Sequence, residues 1–241
     1  YTRDVAQHIP AYLGLEVEVG EIKGPGDLTT LEEALFFVGG LNAWCIFPDL
    51  LAISNGSMHG TYDKTVGQIE GIDLNRTKEI ADAIARYGVS IAQHGISGTP
   101  LDKAAMFPKY GINKGNVGTL WQNIIFGLEI EPETGNAVIK DGSYVKDPKR
   151  GIPIDLWNKI VAWADEQGYS RKSGDYKKAN KPFHDQIMAL PEEIQEQIVA
   201  ETEEWATKYI KAFASEGTAE LIFEAISSRR DHNSTPERKV Y

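Results

Sequence analysis

Three side chains in the first hundred residues have types and spacing suited to binding a divalent metal ion: Glu18, His59 and His94. They stand 41 and 35 residues apart, which suits successive strand-end positions better than the i, i+4 spacing of a helical zinc motif. Each histidine is followed by glycine, as His59-Gly60 and His94-Gly95. Two neutral imidazoles suit zinc or a similar ion, and a carboxylate can supply a further or alternative ligand. Taken alone, His94-Gly-Ile-Ser-Gly98 could equally be a tight turn with a hydrogen-bonded histidine. The repetition of His-Gly at two corresponding places favours the metal site.

The elements that must position these residues follow from hydrophobic pattern. Gly88 to Ala92 is short, partly β-branched and bounded by glycine, so it reads as a buried strand ending just before His94. Leu50 to Ser54 reads as another strand, delivering Asn55 to Gly60 to the same rim. Alternation in Leu15 to Val19 puts Glu16 and Glu18 on the face opposite Leu15, Val17 and Val19. That acidic face is either a polar lumen or the solvated side of an edge strand. A fourth strand around Ile112 runs into a Gly-rich loop containing Asn116 and Thr119. Helices are expected over Val5 to Tyr12, Leu31 to Val38 with Thr29 or Thr30 as cap, Asp73 to Arg86, and Leu101 to Lys109. Alternating strands and helices give an α/β class, and four such units suit the closing half of a TIM (β/α)8 barrel.

The motifs together resemble the class II, zinc-dependent fructose-bisphosphate or tagatose-bisphosphate aldolase family, in the C-terminal half of its barrel. Leu15-Glu-Val-Glu-Val-Gly20 is similar to the family's Leu-Glu-x-Glu-Leu-Gly strand, and Met58-His-Gly-Thr-Tyr62 to its His-Gly-x-Tyr segment. His94-Gly-Ile-Ser-Gly98 resembles its His-Gly-Gly-Ser-Gly loop, and Lys114-Gly-Asn-Val-Gly-Thr119 its Lys-x-Asn-x-Asp-Thr loop. The resemblance implies that His59 and His94 bind zinc or another divalent metal, with Glu18 at an alternative or second metal position. It implies that Gly60, Gly95, Ser97, Asn116 and Thr119 hold the phosphate and hydroxyls of dihydroxyacetone phosphate, with a monovalent cation nearby. The implied reaction is reversible aldol cleavage of a ketose (bis)phosphate to dihydroxyacetone phosphate and an aldehyde through a zinc-stabilised enediolate, in a homodimer or homotetramer.

Three departures accompany the likeness. The family's earlier strands, with an Asp-His pair carrying the acid/base aspartate and a third zinc histidine, have no counterpart. The chain opens at Tyr1 without Met, so the main acid/base group is expected upstream of Tyr1, and closure by upstream residues or a partner chain is expected with it. The Gly-Gly-Glu-Glu pattern is replaced by Lys23-Gly-Pro-Gly-Asp27, leaving Asp27 as the nearest acid for proton transfer. Gly118 stands where the loop aspartate is expected. The alternative is therefore a catalytically silent aldolase-like protein used for binding or assembly.

Composition sets the remaining bounds. A formal charge of −10 argues against nucleic-acid or anionic-membrane partners while leaving room for a local phosphate pocket. Cys45, the single cysteine, lies in Ala43-Trp-Cys-Ile-Phe47 and is expected as a buried thiol of a cytoplasmic protein. No apolar run approaches a membrane span. Residues 1–125 form the expected half-barrel, and 126–241 a mainly helical extension packed on it or on a neighbouring subunit. Within that extension Asp141-Gly142 is a hairpin turn, Ile154 to Gln167 and Glu192 to Ser215 are helices, and Arg171 to Lys181 is a basic, mostly solvated stretch. The tail from Ser227 has little to bury.

Overall fold

The computed structural model of the chain describes residues 1–10, 13–20, 26–67 and 71–230. Its centre is a parallel sheet of four strands in sequential order: β1 (Glu16–Val19), β2 (Leu50–Ile53), β3 (Ser90–Gln93) and β4 (Ile112–Gly115). Helix α1 (Thr2–Ala6) precedes them, and α2 (Leu31–Ala43), α3 (Leu74–Ile84) and α4 (Leu101–Ala104) form the connections. The fold is thus α/β, as the alternating pattern requires.

Register divides the sheet into two unlike faces. Val17, Leu51, Ile91 and Ile112 align across all four strands and are buried in the main core with Val38, Ile80 and Ile84 from the helices. The adjacent row on the other face is Glu18, Ala52, Ala92 and Lys114. A register shift between Ile91 and Ala92 makes Asn113 an extra residue in β4. Without that bulge, strict alternation would turn Lys114 to the same side as Ile112. In a flat sheet β1 and β4 would stand about 14 Å apart. Lys114 nevertheless donates to Glu16 Oε2 at 2.5 Å. The sheet must curl with this face concave, and the central alanines leave room for two long side chains to cross.

The helices follow local chemistry. Thr30 caps α2 in a reciprocal box with Glu33, whose backbone N–H donates to Thr30 Oγ1 at 3.1 Å. The helix expected to stop at Val38 continues through Gly39-Gly40 to Ala43, because Val38 and Leu41 stay in the core. Past its C-cap Trp44 the chain turns at Cys45, with φ of 57°, in a Schellman turn closed by Ile46 N–H to Leu41 O at 3.0 Å and Cys45 N–H to Asn42 O at 2.9 Å. The turn leaves Cys45 exposed, which corrects its expected burial. Replacing Thr30 by Ala should cost about 1 kcal/mol, read as a lower urea midpoint at unchanged m-value.

Other bounds also shift. β3 begins at Ser90 rather than Gly88 and reaches Gln93, so His94 directly follows it. The helix expected over Leu101 to Lys109 is two pieces, α4 and a 3₁₀ turn at Phe107–Tyr110 holding Pro108. The first helix stops at Ala6, and Ala11 and Tyr12 lie outside the described residues.

After α5 (Thr119–Phe126), strands β5 (Ile139–Lys140) and β6 (Ser143–Tyr144) form the expected hairpin, with Asp141 and Gly142 both at positive φ. Then come α6 (Ile154–Glu166), a 3₁₀ segment (Gly174–Asn180), α7 (His184–Met188), α8 (Glu192–Ala212) and α9 (Ala219–Arg230). Phe126, Leu128, Ile152, Trp157, Ile160 and Tyr176 form a second core cluster. Trp205 and Tyr209 of α8 instead join the sheet's own cluster. No helix among the described residues is long and apolar enough to cross a membrane.

Candidate functional site

The loops leaving β2, β3 and β4 converge on a cavity of about 370 Å³. Met58, His59 and Gly60 come from the first loop, Gly95, Ile96 and Ser97 from the second, and Asn116 to Thr119 from the third. All five residues expected at a phosphate therefore line one space, together with His59. A buried amide pair fixes two of these loops: Asn55 Nδ2 donates to Gln93 Oε1 at 2.7 Å and to Thr77 Oγ1 at 2.8 Å. Gln93 Nε2 donates to Asn55 Oδ1 at 3.2 Å and to His94 O at 2.8 Å.

Both glycines of the His-Gly repeat also have conformational reasons to be glycine. Gly60 has φ of 114° and Gly95 of 67°. A Cβ on Gly95 would stand 2.7 Å from the Met58 carbonyl oxygen, so the two loops pack backbone to backbone. Ser97 Oγ accepts from the Leu120 N–H at 3.0 Å, tying the second loop to the start of α5. No side chain caps that helix at Gly118, and its first turn faces the cavity.

The His59 and His94 rings lie edge to face with centroids 5.8 Å apart. Burial, the nearby His94 and the Lys177 charge hold the His59 imidazole below its ordinary range, while Glu18 pulls the other way. Glu18 is exposed on β1, its charge acting on His59. The residue that touches a histidine is its neighbour on the same face: Glu16 Oε1 lies 2.7 Å from His94 Nε2. The Asn116 amide approaches the same nitrogen at 2.8 Å. Glu16 resists ionisation through burial, but hydrogen bonds and charge from Lys114 and His94 win and hold its carboxyl below the usual range. A ring N–H and the Asn116 NH2 cannot both donate across the gap between them; with the carboxylate at 2.7 Å taking the Nε2 proton, the Asn116 amide turns its oxygen to the ring, and the Nδ1 lone pair of His94 is left as its donor to an ion.

Two imidazoles with ring centroids 5.8 Å apart can supply two of the ligands of a divalent ion, although only His59 lines the cavity itself. Among the described residues no group of three or more His, Cys, Asp or Glu could hold a metal, so further ligands must come from elsewhere. Asp27 is exposed, does not line the cavity, and accepts from Ser54 Oγ through its backbone oxygen at 3.2 Å. Lys23 to Pro25, of the same loop, lie outside the described residues. Tyr1, upstream of which the main acid/base group is expected, is 99% exposed at the start of α1 and does not line the cavity either. Asp27 thus stands beside Ser54 at the end of β2, outside the cavity lining.

The opposite wall comes from the extension: Leu128, Tyr144, Ser173, Gly174, Tyr176 and Lys177. It docks where Gly174 meets Gly60, a Cβ on Gly174 reaching within 3.7 Å of the Gly60 Cα. Lys172 pairs with Asp63, whose side chain is 4% exposed. Most of the basic stretch is solvated as expected, but Lys177 projects its charge into the site. Its position depends on the 3₁₀ segment folding back, which hydrophobic periodicity does not disclose. The hydrogen bond from Lys172, reinforced by Thr65, holds the Asp63 carboxyl below its ordinary pKa of 3.8. A depressed carboxyl stabilises the fold above its unfolded pKa and loses that contribution as pH falls through the folded value. Wild type and Asp63→Asn should therefore differ in urea midpoint at pH 6 and converge well below 3.8.

Solved structures similar to this chain include a protein described as a candidate fructose-1,6-biphosphate aldolase from Coccidioides immitis, 18% identical over 91% of this chain and 53% of that one, TM-score 0.47. The YdjI aldolase from Escherichia coli K12 is 17% identical over 90% and 55%, TM-score 0.46. The fructuronate-tagaturonate epimerase UxaE from Cohnella laeviribosi is 11% identical over 84% and 44%, TM-score 0.41. The chain spans about half the length of these proteins. No functionally curated protein matches it. The model of the fructose-bisphosphate aldolase class-II family matches residues 2–218, and the chain belongs to that family.

Proposed function

We propose that the protein catalyses reversible aldol cleavage of a ketose (bis)phosphate to dihydroxyacetone phosphate and an aldehyde, using a divalent metal. The observation that carries this reading is the convergence of His59, Gly60, Gly95, Ser97, Asn116 and Thr119 on one cavity, with the His94 ring beside His59. His59 and His94 would hold the ion and Glu18 a second position; when bound, the ion supplies Lewis-acid stabilisation of the charge developing on the ketose oxygens. The Gly-rich loops and the Thr119 end of α5 bind the phosphate dianion in this reading, with Lys177 as the adjacent cation. Asn116 and Ser97 orient substrate oxygens, which fixes the bond to be broken against the reacting centre. A monovalent cation beside the phosphate belongs to the same reading. Asp27 is the acid assigned to proton transfer in this reading.

The architecture in this reading is half of a (β/α)8 barrel, residues 1–125, with an extension, 126–241, supplying the far wall. Support comes from the curled sheet and from its edges, since β1 and β4 each pair on one side only among the described residues. Parallel strands covered on both faces belong in closed or covered sheets. Further strands, from polypeptide preceding Tyr1 or from a second copy in a homodimer or homotetramer, would close it and add the missing ligand and acid/base. A cytoplasmic setting suits phosphorylated sugars and an exposed thiol. Gly118, which presents no side chain to the cavity, favours a second reading in which the site binds without cleaving.

The deciding assay incubates the protein with a panel of ketose mono- and bisphosphates and measures triose phosphate release with and without chelator. Chelator-sensitive release supports the aldolase; phosphate binding without release by metal-loaded protein supports the silent alternative. Lys177→Met should weaken inorganic phosphate binding roughly tenfold, about 1.4 kcal/mol, measured by calorimetry.

A further inference from the structure

Glu16 lies outside the cavity lining yet makes the shortest contact to either histidine. Its two oxygens are divided: Oε1 faces His94 Nε2 at 2.7 Å, and Oε2 accepts from Lys114 Nζ at 2.5 Å. The three residues come from three strands, Glu16 from β1, His94 from the end of β3, and Lys114 from β4. The chain they form crosses the sheet on the face that also carries Ala52 and Ala92, both buried. The β4 bulge at Asn113 is what brings Lys114 to this side.

We propose that Glu16 is a positioning residue for metal binding: it fixes His94 as the Nε2–H tautomer and orients the ring so that Nδ1 faces the ion, while Lys114 holds the carboxylate in place. The physical reason is that a neutral imidazole has one donor and one acceptor nitrogen, and the partner of the donor decides which lone pair is free. In an isolated histidine the two tautomers interconvert and the ring turns about χ2. Each competing arrangement would have to be suppressed when the ion binds. A carboxylate already bonded to Nε2 removes both. Lys114 also bears on the geometry, since its hold on Oε2 leaves Oε1 directed at the ring.

This inference rests on the metal reading above, and the experiment separates their failures. In metal-free protein with ¹⁵N-labelled histidine, long-range ¹H–¹⁵N correlation spectra should show His94 as the Nε2–H tautomer. Glu16→Ala should convert it to a mixture, and Glu16→Gln, whose amide oxygen can still accept, should restore it. Lys114→Met breaks the ion pair but leaves the bond to His94, so the tautomer should persist. A purely structural role for Glu16 would leave the tautomer unmoved in all three. Co²⁺ titration followed by visible absorption should show affinity falling 10- to 100-fold in Glu16→Ala and by less in Glu16→Gln. Unchanged affinity in Glu16→Ala, or an unchanged His94 tautomer, overturns the positioning role. Wild-type protein that takes up no Co²⁺ overturns the metal reading and this inference with it, whereas Co²⁺ uptake lost in His94→Ala but kept in Glu16→Ala overturns this inference alone.

Discussion

Under the proposed aldolase function, substituting His94 with Ala is expected to lower kcat/KM for ketose-phosphate cleavage by about 10³-fold, the scale of losing one fixed electrostatic contact in a transition state. The argument is geometric. His94 sits directly after β3, its ring 5.8 Å from that of His59, and its Nε2 is committed to Glu16. Removing the ring takes away one of the two imidazoles on the rim and leaves the Glu16 and Lys114 ion pair in place, so the sheet keeps its crossing contact. His94 belongs to neither core cluster, and its loss should shift the unfolding midpoint little. KM for the phosphorylated substrate should change less than kcat, because the phosphate contacts are made by other residues. Steady-state kinetics with a parallel unfolding curve checks this. Activity within threefold of wild type would remove His94 from the reacting centre.

The largest stability effect is expected from Trp205→Ala in α8, at about 3–5 kcal/mol. Trp205 and Tyr209 are each 4% exposed and belong to the cluster formed by the sheet and its helices. Tyr209 meets Trp121 of α5 edge to face with centroids 6.5 Å apart, and a Cβ on Gly135 would stand 3.4 Å from the Trp205 ring. Truncation opens a void between α8 and α5, the helix whose first turn lines the cavity. The expected result is a midpoint lower by roughly 10 °C, with weaker phosphate binding at temperatures where the protein is still folded. A cost below about 1 kcal/mol would mean that the extension rides on the sheet without joining its core.

Much of this was fixed locally. Strand identity at Leu50 and Ile112, the cap at Thr30 and the hairpin turn at Asp141-Gly142 depend on near neighbours, so pattern and turn chemistry disclose them. Likewise, spacing alone brought His59 and His94 to one rim, because parallel strands joined by helices all end on the same side. Tertiary structure decided what one-dimensional order cannot express. Cys45 is exposed because Val38 and Leu41 carry α2 past its two glycines and force the turn to fall at the cysteine. Lys177 enters the cavity because Gly174 can pack against Gly60. Glu16 and Glu18 are indistinguishable by alternation, and only the curvature of the sheet, with a one-residue bulge in β4 setting Lys114 on the concave face, makes Glu16 the partner of His94.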